Sequence, residues 1–158
     1  MEAIRNKRPL TFNQEYALES VWHELRHAKA KNWKVLGAEH PGNKVVAMEV
    51  VNQLCARKTY PDFLKKIGAE ARHYEEVKKQ GYGYKQEIVN LRAIFEKYNI
   101  NEEKFFRHFE NRIIVNDYDM IFDNMVKFLR GEKVKKAEIL VGRLGWENKD
   151  FKKIMDGI

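Results

Sequence analysis

The stretch Thr11-Phe-Asn-Gln-Glu-Tyr-Ala-Leu-Glu-Ser-Val-Trp-His-Glu-Leu-Arg-His-Ala-Lys29 decides how the chain is read. Thr11 and Gln14 have the spacing of a capping box, which predicts a helix starting there and running to about Asn32 or Trp33. On that helix His23 and His27 lie one turn apart on one face, so two imidazole nitrogens can meet one ion. Glu24 follows the first histidine directly and is placed to act as general base toward water on such an ion. Leu18, Val21, Trp22 and Leu25 form the expected core stripe, and at ~100° per residue the histidines fall roughly 140–180° from Leu18. The pair therefore either decorates a solvated face or is covered by a second element that brings another ligand.

The next segment supplies a candidate for that element. Lys34 to Asn43 reads as a connector with the turn signal Pro41-Gly42-Asn43, and Lys34-Val35-Leu36 is its one strand-like piece. His40 lies in this connector, either as an exposed loop residue or as a third ligand. Val45 to Lys58 is expected to be a helix apolar round most of its circumference, hence buried, through Val46, Met48, Val50, Val51, Leu54 and Cys55. Its narrow polar face carries Glu49, Asn52 and Gln53. A carboxylate on a buried helix must be paired, hydrogen-bonded or metal-bound. Glu49 follows His27 by 22 residues, enough for a loop and a return, so it either faces the histidines or forms the helix's one solvated edge. Tyr60-Pro61-Asp62 predicts a stop, with a third helix from Pro61 to about Gln80. Tyr60 reads as a packing residue, or as a phenol near a metal.

Gly81-Tyr82-Gly83-Tyr84 reads as a linker and divides the chain into residues 1–80 and 81–158. Beyond it the caps and stops predict helices over Lys85–Tyr98, Glu102–Val115 (capped by Asn101), Tyr118–Arg130 (capped by Asn116-Asp117), Lys133–Leu144 and Asn148–Met155. Ile88, Leu91, Ile94, Phe95 and Ile121, Phe122, Met125, Phe128, Leu129 recur at helical spacing, as core or as a hydrophobic partner surface. His73 and His108 are isolated. The expected class is mainly α: a helix hairpin carrying the histidine motif, then a helical bundle, with little or no sheet.

Composition narrows the setting. The 158 residues fit one domain, or a domain with an appended subdomain, and are 44% hydrophobic and 34% charged. The net charge of +7 is spread, with 15 Lys+Arg against 10 Asp+Glu in residues 1–80 and 15 against 13 in residues 81–158. No basic run of five or more suggests a dedicated nucleic-acid arm, although a diffuse basic face leaves nucleic acid open as a partner. No stretch approaches the ~18 apolar residues of a membrane span, so no membrane role is expected. The first residues lack an apolar signal core, and the single Cys55 fits a reducing, cytoplasmic compartment. No glycine-rich phosphate loop, C-x-x-C pair or G-x-S-x-G elbow occurs.

His23-Glu24-Leu25-Arg26-His27 matches the H-E-x-x-H signature of zinc peptidases. With its flanks Glu19 to Ala28, the helix around Ala47-Met-Glu-Val-Val-Asn-Gln-Leu54, and Tyr60, it resembles the minimal zincin-type metallopeptidase domain. The similarity is to the version in tailed-phage minor head (head-morphogenesis) proteins and related mobile-element proteins, and it covers about residues 11–64. The resemblance implies Zn2+ held by His23, His27 and Glu49, with Glu24 as general base for hydrolysis of a protein or peptide substrate. It also implies a bacterial cytoplasmic or virion-associated protein, whose helical half could meet a phage or host protein. The sequence departs from the pattern in places. Arg26 puts a cation inside the motif, and Ala30 and Trp33 occupy the glycine and third-histidine positions of the extended metzincin pattern. Only about ten non-helical residues precede the motif helix, so the zincin sheet is reduced to almost nothing unless the chain is a fragment. The competing expectation is a non-enzymatic helical interaction module, with a protein or nucleic-acid partner and an incidental or purely structural metal motif.

Overall fold

The computed structural model describes residues 9–29, 42–80, 83–110 and 120–158. Among these residues there are eight helices and no strand: α1 Phe12–Lys29, α2 Gly42–Lys66, α3 Tyr74–Gln80, α4 Lys85–Lys97, α5 Glu102–Phe109, α6 Met120–Gly131, α7 Ala137–Gly142 and α8 Asn148–Asp156. The mainly-α class is as expected. The strand-like piece at 34–36, His40 and the Asn116-Asp117 cap lie outside the described residues. None of the described helices is long and apolar enough to cross a membrane.

Local chemistry sets several of the helix ends. The Thr11 N–H donates to Gln14 Oε1 at 3.0 Å and the Gln14 N–H to Thr11 Oγ1 at 3.4 Å, the reciprocal bonds of a capping box. Asn101 caps α5 by accepting from the Glu103 and Lys104 amides. Three helices end with a left-handed residue whose neighbours close a Schellman motif: Gly68 after α2, Asn99 after α4 and Lys133 after α6. Lys136 is left-handed as well, so the helix expected over Lys133–Leu144 shrinks to Ala137–Gly142.

Two expectations are overturned. Pro61 does not open a third helix; α2 runs straight through it to Lys66, and the next helix begins only at Tyr74. An interior proline removes one i→i−4 bond and costs about 3 kcal/mol. The residues beyond it offset that cost, because Tyr60 and Leu64 are fully buried and Phe63 stacks on Trp22 at 4.9 Å. The second correction concerns α1. Val21 and Leu25, expected in the core, are 48% and 41% exposed, while His23 and His27 are only 5% and 2% exposed. The inward face of α1 is Glu15, Glu19, His23, Arg26 and His27, all buried.

The apolar packing divides into two clusters joined by α2. The larger gathers Ala47, Met48, Val50, Val51, Leu54 and Cys55 of α2 with residues of α4, α5, α6, α7 and α8. Thus one side of α2 shares a core with residues beyond the linker. The smaller cluster holds Leu10, Tyr60, Leu64 and Val77, with Phe12, Tyr16, Leu18, Trp22 and Phe63 packed on it. Between them the polar face of α1 meets the polar face of α2. The pairs Glu15–Tyr60, Glu19–Gln53 and His23–Glu49 show that the two helices run antiparallel.

Candidate metal centre

At one end of this polar seam three donor atoms converge. His23 Nε2 and His27 Nε2 lie 3.2 and 3.1 Å from the same oxygen, Oε2 of Glu49, and 2.8 Å from each other. The two rings are nearly perpendicular, at 76°. A hydrogen on either nitrogen can lie along one edge of this triangle but not two, because the edges diverge by about 60° and hydrogen bonds weaken steeply off axis. The same three atoms could hold one metal ion. The three atoms lie on a circle of radius about 1.75 Å, small enough for all of them to reach one ion at the ~2.0–2.2 Å usual for imidazole and carboxylate ligands. One of the three donors is anionic. Burial would raise the Glu49 carboxyl, but the contacts with His23 and His27 and their charge outweigh it and hold it down at about 2. These three are the residues that the sequence singled out, and they form the His/Asp/Glu/Cys group able to hold a metal ion among the described residues.

The helix positions are fixed by bonds across the seam. Asn52 donates from Nδ2 to the His23 carbonyl at 3.1 Å, and its Oδ1 accepts from Arg26 Nε at 3.4 Å. Arg26 reaches further to Thr59 Oγ1 and to the Glu110 carbonyl, at 3.5 and 3.3 Å. It therefore points away from the histidines, into the contact between α1, α2 and the end of α5, and burial lowers its pKa. The cation inside the motif does not oppose a metal directly. Cys55 is buried, its thiol pushed up to about 12 by burial, and it is not among the three converging residues.

The other candidate residues fall into distinct places. Glu24 is exposed and close enough to Tyr84 for its charge to act on the phenol. Tyr60 is not at the site: its hydroxyl donates to Glu15 Oε1 at 2.9 Å. The Glu15 carboxylate also accepts from the Arg72 and His73 amides, and this ties the segment before α3 to α1. His108 packs on Phe109 and Phe128 and does not join the group.

Sequence reasoning missed Tyr84. Its ring lies parallel to the His23 imidazole, 6.2 Å away at 15°, and its phenol sits against Glu49. Burial first, then the Glu49 carboxylate, push that phenol up to about 12. The turn that carries it is held by α1 and α2, since Arg57 Nη2 donates to the Gly83 carbonyl at 2.7 Å and the Gly83 N–H donates to Tyr16 Oη at 3.2 Å. Glu19, next along the seam, accepts from Gln53 Nε2 at 2.5 Å, and burial raises its pKa despite the nearby Arg57 and His23. A sequence signal for the seam does exist: Glu15, Glu19, His23 and His27 repeat every four residues, a polar stripe at helical period. No family model, curated protein or solved structure matches the chain.

Proposed function

We propose that the protein is a zinc-dependent, metallopeptidase-like hydrolase of peptide bonds, with His23, His27 and Glu49 as ligands and Glu24 as general base. The observation that carries this reading is the convergence of two imidazole nitrogens and one carboxylate oxygen from α1 and α2 on a single point. Glu24, next in sequence to His23, is exposed to solvent. Two neutral imidazoles and one carboxylate leave a divalent ion with net positive charge and an open fourth position, the pattern of catalytic rather than structural zinc sites. Zinc there would supply a Lewis acid and lower the pKa of water to near ~7.

The chain's own residues then divide the work. Glu24 takes a proton from the attacking water as its oxygen adds to the amide carbon, and delivers that proton to the nitrogen as the C–N bond breaks. The buried seam behind the histidines fixes their spacing and keeps solvent from that side. Similarity to phage head-morphogenesis zincins rests on the motif residues alone. A structural metal without turnover is the second reading, favoured by the near-complete burial of both imidazoles.

Two measurements separate the readings. Protein purified without chelator should carry about one zinc per chain, and it should cleave members of a mixed peptide library. Zinc without cleavage favours the structural reading. A protein that carries no transition metal and takes up none on titration is neither.

A further inference from the structure

The turn before α4 holds a left-handed residue, as the turn before α7 does at Lys136. Tyr84 is left-handed, with φ 50° and ψ 30°, and its side chain makes no capping hydrogen bond to α4. For a bulky L-residue that conformation is strained and persists where its surroundings support it. Here they do. Gly83 is held on both sides, by Arg57 from α2 and by Tyr16 from α1. The conformation so imposed sends the Tyr84 ring over His23 and its phenol against Glu49.

His23 has an unmet need at this point. A metal-binding histidine ordinarily donates its other ring N–H to an acceptor, which fixes the tautomer and the rotation of the ring. His23 Nδ1 is buried and has no hydrogen-bond partner among the described residues. No hydrogen bond at Nδ1 therefore helps to set the ring about its Cβ–Cγ bond, and the Tyr84 ring stacked on one face adds a restraint on that side.

We propose that Tyr84 is a positioning residue of the metal centre: its ring fixes the His23 imidazole by stacking, and its hydroxyl holds the Glu49 carboxylate so that one oxygen faces the ion. This rests on the metal-centre reading above. The turn at 83–84, outside the motif helices, thereby becomes part of the site, and Arg57 and Tyr16 are the residues that keep it there.

The test compares wild type, Tyr84→Phe and Tyr84→Ala for zinc affinity by chelator competition and for the visible absorption of the cobalt-loaded protein. Tyr84→Phe keeps the stack and loses the hydroxyl; Tyr84→Ala loses both. Zinc binding should weaken about tenfold or more in Tyr84→Phe and further in Tyr84→Ala, the range expected for partners of metal ligands. The cobalt bands should shift in Tyr84→Ala, which a purely structural role for the tyrosine would not produce. If Tyr84→Ala loses its helical circular dichroism, the near-isosteric Tyr84→Phe decides. Wild-type affinity and an unshifted spectrum in the variants overturn the role of Tyr84 while the metal centre stands. Wild type that binds neither metal overturns the metal centre, and this role with it.

Discussion

Zinc should stabilise this fold by an amount that its geometry sets. An ion shared by His23 and Glu49 ties together residues 26 positions apart, on two helices with no covalent link at that point. Treated as a cross-link, a closed loop of about that length restricts the unfolded chain by roughly 3.5 kcal/mol. Binding linkage gives a similar figure, about 2.7 kcal/mol when free zinc is a hundred times its dissociation constant. For a domain near 150 residues each kcal/mol moves Tm by about 2–4 °C, so saturating zinc should raise Tm by roughly 6–14 °C over chelator-treated protein. The assay is thermal unfolding followed by circular dichroism at 222 nm, with and without zinc. His27→Ala leaves two ligands, one on each helix, and its gain should fall to about a quarter of the wild-type shift or less. Superimposable melts of wild-type protein in zinc and in chelator would refute the argument. An equal zinc gain in His27→Ala would show that the ion binds elsewhere.

Three further outcomes are expected. Glu24→Gln should keep its zinc and lose peptide hydrolysis by about 10²–10⁴-fold, since the amide cannot accept the proton; loss of zinc would instead make Glu24 a ligand. In metal-free protein Glu49 titrates at about 2 against 4.5 unfolded, so its contribution is complete above pH 4.5 and disappears as pH falls toward 2. Glu49→Gln should flatten that limb of an acid-unfolding curve, and an unchanged curve would place the acid-sensitive group elsewhere. Pro61→Ala restores an amide inside α2 and should raise the urea midpoint by the equivalent of about 1–3 kcal/mol; a fall would mean that the proline ring packs better than the regained hydrogen bond.

The features legible in the sequence were those written in local chemistry. Thr11–Gln14 and Asn101 each announce a helix start with a side chain that bonds its own backbone, and both bonds are present. Glu49 was legible because α2 is apolar almost all round, which leaves its few polar residues in need of partners. What escaped was decided between segments. The amphipathic rule places Val21 and Leu25 inside because it counts apolar residues, yet α1 turns its polar stripe inward, toward a polar stripe on α2 that cannot be seen from α1 alone. Pro61 favours a helix start by its own geometry, and the burial of Tyr60 and Leu64 on either side overrides it. Gly81 to Tyr84 reads as a linker by composition, and only Arg57 and Tyr16, dozens of residues earlier, turn its end into a wall of the site.

That inward polar stripe is itself an argument about function. Replacing buried charged groups by well-packed apolar residues of similar size is often neutral or stabilising by about 1–4 kcal/mol, so stability alone gives no reason to bury Glu15, Glu19, His23, Arg26 and His27 on one helix face. Part of the stripe still has a structural account. Glu15 is satisfied by a phenol and two backbone amides and Glu19 by Gln53, while Arg57 opposite donates to the Gly83 carbonyl but keeps a buried Nε without a partner. These bonds fix the register of α1 on α2 and anchor the segments before α3 and α4. The histidine end has no equivalent account. Three donor atoms crowd into a triangle that hydrogen bonds fill poorly, and one ring nitrogen behind it is buried without an acceptor. Beside it, Asn52 bonds the His23 carbonyl and Arg26 and so ties α1 to α2 at that level. An apolar seam would hold the two helices together as well or better, but it could not present two imidazoles and a carboxylate to the same point in space.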